Sequence, residues 1–446
     1  MRFRLPSSPT IFPLFLFAIT AFSLSAQQPK PQPQISSNDL GRAHAMLLQT
    51  YTDVKKNYYD PTYHGVDLDA TYKQLDARMS ASQTINDTFR VIAALLLQLH
   101  DSHTFFQPPM RSNHSTLGYE MEMVGDKCFV THIRPGTDAA TKLHVGDQVL
   151  ALNRFNIKRA DFWDERYFFQ ILSPAPFETL DVLSPTGERR QVTIQALIQR
   201  GVKMLDVTDE GSADFWQLVR QDEAMDHLNR ERYYESGDVL LWKMPSFEVD
   251  VPTMDKLFIK LHKHQTLILD LRDNPGGYVD SLKYMLGHVF DHDVKIADRI
   301  SRKDTKPILA KTTGSSAFGG KLIVLVNSQS ASAAELFARV VQLEKRGQVI
   351  GDQSAGAVME ARELPEWFGT DSKIFYGLSV TSANLLMTDG KSLENTGVTP
   401  DDKLLPTAAE VADGKDPVMS HALQLSGITL DSVAAGKLFP YEWPDL

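Results

Sequence analysis

The sequence predicts an α/β protein with a helical N-terminal part and a small β unit inserted ahead of a larger core. Three observations carry this. Thr266–Leu271 and Leu322–Val326 are short apolar runs with little alternation, as expected of strands buried on both faces, and each leads through a turn into a segment of helical period. Leu40 to Leu99 repeats apolar residues at helical spacing instead. Residues 115–198 hold alternating strands, KCFVTHI and DQVLALN, set between turn residues.

A chain of 446 residues accommodates two or three domains. A net charge of −10 argues against nucleic acid as the main partner. Arg2 and Arg4 precede an apolar stretch, Ile11 to Leu24, so residues 1–26 read as a signal peptide cleaved after Ala26. The stretch is short and contains Pro13, which does not make a stable membrane anchor. The expected location is periplasmic or secreted. Cys128 is the single cysteine, so no internal disulfide is expected, and its place in an alternating strand makes it a packed thiol.

Residues 27–35 form a Pro/Gln linker. Residues 36–114 form the helical part. A first helix starts at the capping residues Ser36-Ser37-Asn38 and carries Leu40, Ala43, Leu47, Tyr51 and Val54. A second covers Leu68 to Met79. A third starts near Thr84 and aligns Ile85, Phe89, Ile92, Leu96 and Leu99 as a core-facing stripe. It runs into a polar cluster, His100-Asp101-Ser102-His103-Thr104, held by a rigid element. After the β unit, residues 199–425 form the α/β core, with an irregular charged stretch from Gly201 to Asp238 and a surface helix from Gly414 to Leu425. Residues 426–446 are a tail.

Two turns of the core invite chemistry. Asn327 to Ser332 is a serine-rich corner between a core strand and a helix, where free N–H groups and the positive helix end favour developing negative charge. A serine here serves either as a helix cap or as a nucleophile that shares the next backbone N–H with its oxyanion. Arg272 to Gly277 is a glycine turn between strand and helix, with Asp270 and Arg272 bracing it. Its glycine spacing fits neither a dinucleotide fingerprint nor a phosphate loop. His288 and His292 are four apart, a spacing that suits zinc, but without a third ligand they read as a solvated helix end and no metal is expected.

The β unit resembles a PDZ domain in its Leu117-Gly118-Tyr119 loop, its PGTDAA turn and its VGDQVLALN strand. The resemblance implies that Leu117, Gly118 and Tyr119 capture a peptide C-terminus through backbone N–H groups, the peptide adding as a strand. With LILDLRDNPGG (267–277), SASAAE (330–335), GDQSAG (351–356) and LENTGVTPD (393–401), the chain resembles the C-terminal processing, or tail-specific, serine proteases and the tricorn core protease. That resemblance implies a ClpP/crotonase-like core. It makes Ser332 the nucleophile rather than Ser330, and Ala333 with Gly276 and Gly277 the oxyanion donors.

The tail-specific branch places a lysine base about 25 residues after the serine. Ala357 stands there, and no Lys lies between Lys345 and Lys373. The tricorn-like branch uses a histidine preceded by serine and supported by glutamate. The matching residues are His103, Ser102 and Glu394, with Asp101 an alternative orienting carboxylate and His100 a neighbouring histidine. Glu335 is expected to position a neighbour. The expected function is a cofactor-free exported serine endopeptidase acting on peptides or proteins through an acyl-enzyme. The alternative is a catalytically inactive peptide- or ligand-binding protein on the same scaffold.

Overall fold

The computed structural model describes residues 35–444 except 112, 201–227, 229 and 369–372. The expected leader, the linker through Gln34 and most of the charged stretch after Gly201 lie outside the described residues.

A six-stranded sheet forms the centre. Its order is Arg232–Ser236, Val239–Lys243, Thr266–Asp270, Lys321–Val326, Gln348–Gly351 and Asp402–Lys403. The first pair is antiparallel and the rest are parallel. Side chains of one strand alternate between the faces. Leu240, Trp242, Leu267, Leu269, Leu322 and Val324 pack under the helices Val251–Leu261, Val279–Val289 and Ala333–Leu343. Leu241, Ile268, Ile323, Leu325 and Ile350 face the other way and meet the helix Pro417–Leu425.

This corrects two expectations. The C-terminal helix is not merely a surface element: Val418, Met419, Ala422 and Leu423 are buried, because strands apolar on both faces need a second cover. The stretch read as irregular up to Asp238 contains the edge strand Arg232–Ser236.

The N-terminal part supplies three helices, Ser37–Asn57, Leu68–Met79 and Ile85–Leu97. Ser36 caps the first, and Thr84 with Asp87 forms a reciprocal capping box on the third. They pack on a second sheet built from Phe105–Gln107, Val294–Ser301, Thr305–Ala310, Met359–Phe368 and Ile374–Met387. Ile85, expected in the core stripe, is 41% exposed. It is the first helical residue and lies beyond the edge of the cluster formed by Phe89, Ile92, Leu96 and Leu99.

The β unit contains a sheet in the order Tyr119–Val124, Lys127–Ile133, Gln148–Leu152, Phe177–Leu183 and Arg189–Gln195. Met121, Cys128, Val130, Leu152, Leu180 and Val182 fill its own core, and burial pushes the Cys128 thiol up. Hydrogen bonds tie the unit to loops that follow strands of the central sheet. Asp352 accepts from Gly125 N–H at 2.8 Å and from Arg159 Nη1 at 2.9 Å. Asn327 Nδ2 donates to Glu122 at 2.7 Å.

Candidate active site

Thr266–Asp270 and Lys321–Val326 are neighbouring parallel strands, with Asp270 opposite Leu325. Their following turns therefore leave the same end of the sheet, the end at which open α/β sheets bind ligands. Ala331 N–H donates to Asn274 O at 2.9 Å, and Ser330 Oγ donates to Leu271 O at 2.7 Å while accepting from Asn327 N–H. Ser330 is fully buried and its hydroxyl stitches the turns together.

Ser332 stands where the helix Ala333–Leu343 begins, with φ +54° and ψ −116°. An ordinary N-cap is extended, as Thr84 is at φ −128° and ψ 161°. A non-glycine residue in this region costs about 1–3 kcal/mol and must be held there by its surroundings. The holding bonds are visible. Ser332 N–H donates to Ala357 O at 2.9 Å and to Glu335 Oε2 at 3.0 Å.

Glu335 is a buried hub. Its carboxylate also accepts from Ser354 Oγ at 2.6 Å, Gly356 N–H at 2.8 Å and Ala357 N–H at 2.9 Å. Burial pushes it up to about 7, with those donors working in the opposite direction. It acts on Ser332 and on the 354–357 loop together.

Gly276 has φ +100°, and a Cβ there would lie 2.6 Å from Ser332 Cβ. Only glycine permits that approach. Gly276 donates its own N–H to Asn274 Oδ1 at 2.9 Å, so this donor is already engaged. The N–H groups of Gly277 and Ala333 have no acceptor among the described residues.

The histidine comes from the other part of the chain. Ser102 Oγ is 2.7 Å from His103 Nδ1 and donates to Glu394 Oε2 at 2.9 Å. Glu394 Oε1 accepts from Ser102 N–H at 2.7 Å, and Oε2 accepts from Val358 N–H at 2.8 Å. Both carboxylate oxygens are acceptors, so the single Ser102 hydroxyl proton points at Glu394. Ser102 Oγ then accepts from His103 Nδ1–H, which leaves the lone pair of the ring on Nε2. Burial holds His103 below the usual imidazole value, with Asp101 opposing the shift. Burial raises Glu394, with its donors working against it.

Among the described residues Asp101 makes no hydrogen bond to the imidazole. It accepts from His103 N–H at 3.0 Å, Thr381 Oγ1 at 2.7 Å, Tyr58 OH at 2.7 Å and Thr104 Oγ1 at 3.0 Å, and so it shapes the turn. His100 is exposed with φ +52°. Among the described residues no hydrogen bond joins the His103 ring to Ser332. The two are connected through Ser102, Glu394, Val358 and its neighbour Ala357, whose carbonyl holds Ser332.

The Leu117–Tyr119 loop lies on the β unit. Gly118 has φ +76°, its carbonyl accepts from Arg134 N–H at 2.8 Å, and its own N–H reaches Thr116 Oγ1 at 3.3 Å. Tyr119 turns its ring inward and bonds Glu178. His288 is half-buried, its ring stacking on Phe258 at 4.2 Å and bonding Tyr284 O, while His292 and Asp291 pair on the exposed helix end. Asn274 and Asn327, which knit the two turns, were not singled out by sequence reasoning. The only local signal was their position at strand ends, where Asn is a common turn residue.

A strand-end serine beside a glycine turn, linked through Ala357 and Val358 to a histidine–serine–glutamate relay, is an arrangement compatible with a serine hydrolase. The family comparisons make the class specific. Residues 238–404 match the peptidase family S41 model, and residues 43–96 match the tricorn protease C1 domain model. The tail-specific protease of Haemophilus influenzae is 24% identical over 324 residues, 68% of this chain and 43% of that protein. A probable CtpA-like serine protease of Staphylococcus haemolyticus is 28% identical over 184 residues, 40% of this chain and 36% of that protein. The chain thus spans less than half the length of these curated relatives. Among solved structures, mature CPAF shares the fold, with a TM-score of 0.61 at 16% identity over 84% of this chain and 95% of its own. Among the described residues no helix is long and apolar enough to cross a membrane.

Proposed function

We propose that this chain is an exported serine endopeptidase with a ClpP/crotonase-like core and a PDZ-like β unit. Ser332 attacks the scissile carbonyl. His103 Nε2 takes the serine proton and returns it to the leaving amine, and water then hydrolyses the acyl-enzyme. Ser102 and Glu394 hold the imidazole in the required tautomer and stabilise its cation. The N–H groups of Ala333 and Gly277 stabilise the oxyanion, while Gly276 permits the close approach of the two turns. The Leu117–Tyr119 loop presents backbone donors to the peptide end, and peptides or proteins are the substrates. The chemistry needs no cofactor or nucleic acid, and the reading of residues 1–26 as a signal peptide supports a periplasmic or secreted location.

The observation that carries this reading is the Glu394–Ser102–His103 relay, built from residues 292 apart and sharing Glu394 with the loop that holds Ser332. The test is labelling with a serine-directed fluorophosphonate and peptide mapping, on wild type and His103→Ala. A label on Ser332 in wild type that is lost in the variant supports the proposal. An unlabelled but folded wild type, with no cleavage of a mixed peptide pool, overturns it and leaves the binding reading.

A further inference from the structure

The last described residues do not trail away from the fold. Phe439 packs against the core, and Arg232 lies 5.8 Å over its ring while donating to Pro440 O at 2.8 Å. Arg230 pairs with Glu442 at 2.5 Å. Past this anchor the segment reaches the β unit. Tyr441 stacks on His132 with ring centroids 3.9 Å apart and planes within 22°. The Arg134 guanidinium sits 5.7 Å over the Trp443 ring.

These two contacts fall beside the loop assigned to peptide capture. His132 pairs across the strands with Glu120, next to Tyr119, and Arg134 N–H donates to Gly118 O. Burial pushes the Tyr441 phenol up, the carboxylates of Glu120 and Asp273 add to the shift, and Arg166 and Arg134 oppose it. The segment therefore lies against the strand end that carries His132 and Arg134, beside the loop. Two aromatic rings on a histidine and an arginine are contacts of the kind that anchor a bound peptide. Tyr441 nevertheless stays 41% exposed, so the grip is shallow.

We propose that residues 440–444 are a built-in occupant of the peptide-binding face of the β unit, a strap that an incoming peptide must displace. This rests on the reading of the β unit as a peptide-binding module. Tethering gives the strap an effective concentration in the millimolar range, so a substrate segment must bind better or be presented locally at high concentration. The anchor on Arg230 and Arg232 keeps the displaced strap close enough to return.

The test compares the full chain with a Tyr441→Ser/Trp443→Ser variant, both carrying Ser332→Ala so that nothing is cleaved. The probe is a synthetic heptapeptide of residues 438–444. Hydrogen exchange over residues 117–134 should be several-fold faster in the variant. The heptapeptide should bind the variant roughly tenfold more tightly than the unaltered strap chain and restore slow exchange. Glu442→Lys, which reverses the pairing with Arg230, should shift both readouts in the same direction and guards against misfolding of the double variant. Faster exchange without preferential peptide binding would make the segment a brace and overturn the proposal. Unchanged exchange would overturn it as well. Neither readout uses peptidase activity, so an inactive wild type would sink the proposed function and leave this test intact.

Discussion

Glu394 accepts both the backbone N–H and the hydroxyl of Ser102, at 2.7 and 2.9 Å, although the two residues are 292 positions apart. The carboxylate thereby fixes the direction of the one proton that decides the His103 tautomer. Ser102→Ala removes this relay while leaving the backbone bond. Ser102 is exposed, so stability should change by less than about 1 kcal/mol. Activity on a peptide substrate should fall roughly 10- to 100-fold, in kcat rather than KM. A fall in the thermal midpoint that accounts for the lost activity would show that Ser102 only holds the turn.

Gly276→Ala should abolish activity. The new Cβ would stand 2.6 Å from Ser332 Cβ and 2.9 Å from Ala333 N, at a φ of +100° that alanine avoids. Fluorophosphonate labelling of Ser332 should fall at least about a hundredfold, the size of an oxyanion-site defect. Labelling at the wild-type rate would show that the two turns do not act together.

His103 must be neutral to accept a proton. Burial holds it below its usual value of 6.5 and Asp101 partly opposes this, so the acid limb of kcat/KM should lie below pH 6.5. Activity is lost as the pH falls through that limb. Asp101→Asn removes the opposing charge and should move the limb to still lower pH. A limb above 6.5, or one that rises in the variant, would contradict the assignment of the base.

Glu335 offers a test on stability. Its carboxyl is pushed up from 4.5 to about 7 in the fold. Between those values the folded chain keeps a proton that the unfolded chain has released, so this group's stabilising contribution falls as the pH rises from 4.5 to about 7. The thermal midpoint of wild type minus that of Glu335→Gln should shrink across that window and level off above it. The variant should still be the less stable by about 3 kcal/mol or more, because an amide offers one acceptor where a carboxylate meets four donors. A pH-independent difference would exclude Glu335 as the titrating group.

Much of the protein was legible before its structure. The order of helix, β unit, buried strand and glycine turn follows from local chemistry: period, capping residues and turn residues act over a few positions. Thr84 and Asp87 announce the third helix, and the unbroken run at Leu322–Val326 announces a strand covered on both faces. The motif blocks placed Ser332, His103, Ser102 and Glu394 as candidates by resemblance. Other matters depended on which side chain each group meets across the fold. Ser330 and Ser332 are equivalent in sequence, and burial engaged Ser330 with Leu271 O while strain set Ser332 apart. Asp101 is the nearer carboxylate to His103 in sequence, yet Thr381, Tyr58 and Thr104 claim its oxygens, and the distant Glu394 reaches Ser102. Gly276 and Gly277 look alike in the glycine turn, and the Asn274 side chain engages the N–H of the first alone. Periodicity and composition determine which elements form. Only long-range packing, which converts positions hundreds of residues apart into contacts below 3 Å, decides which polar atoms remain unengaged.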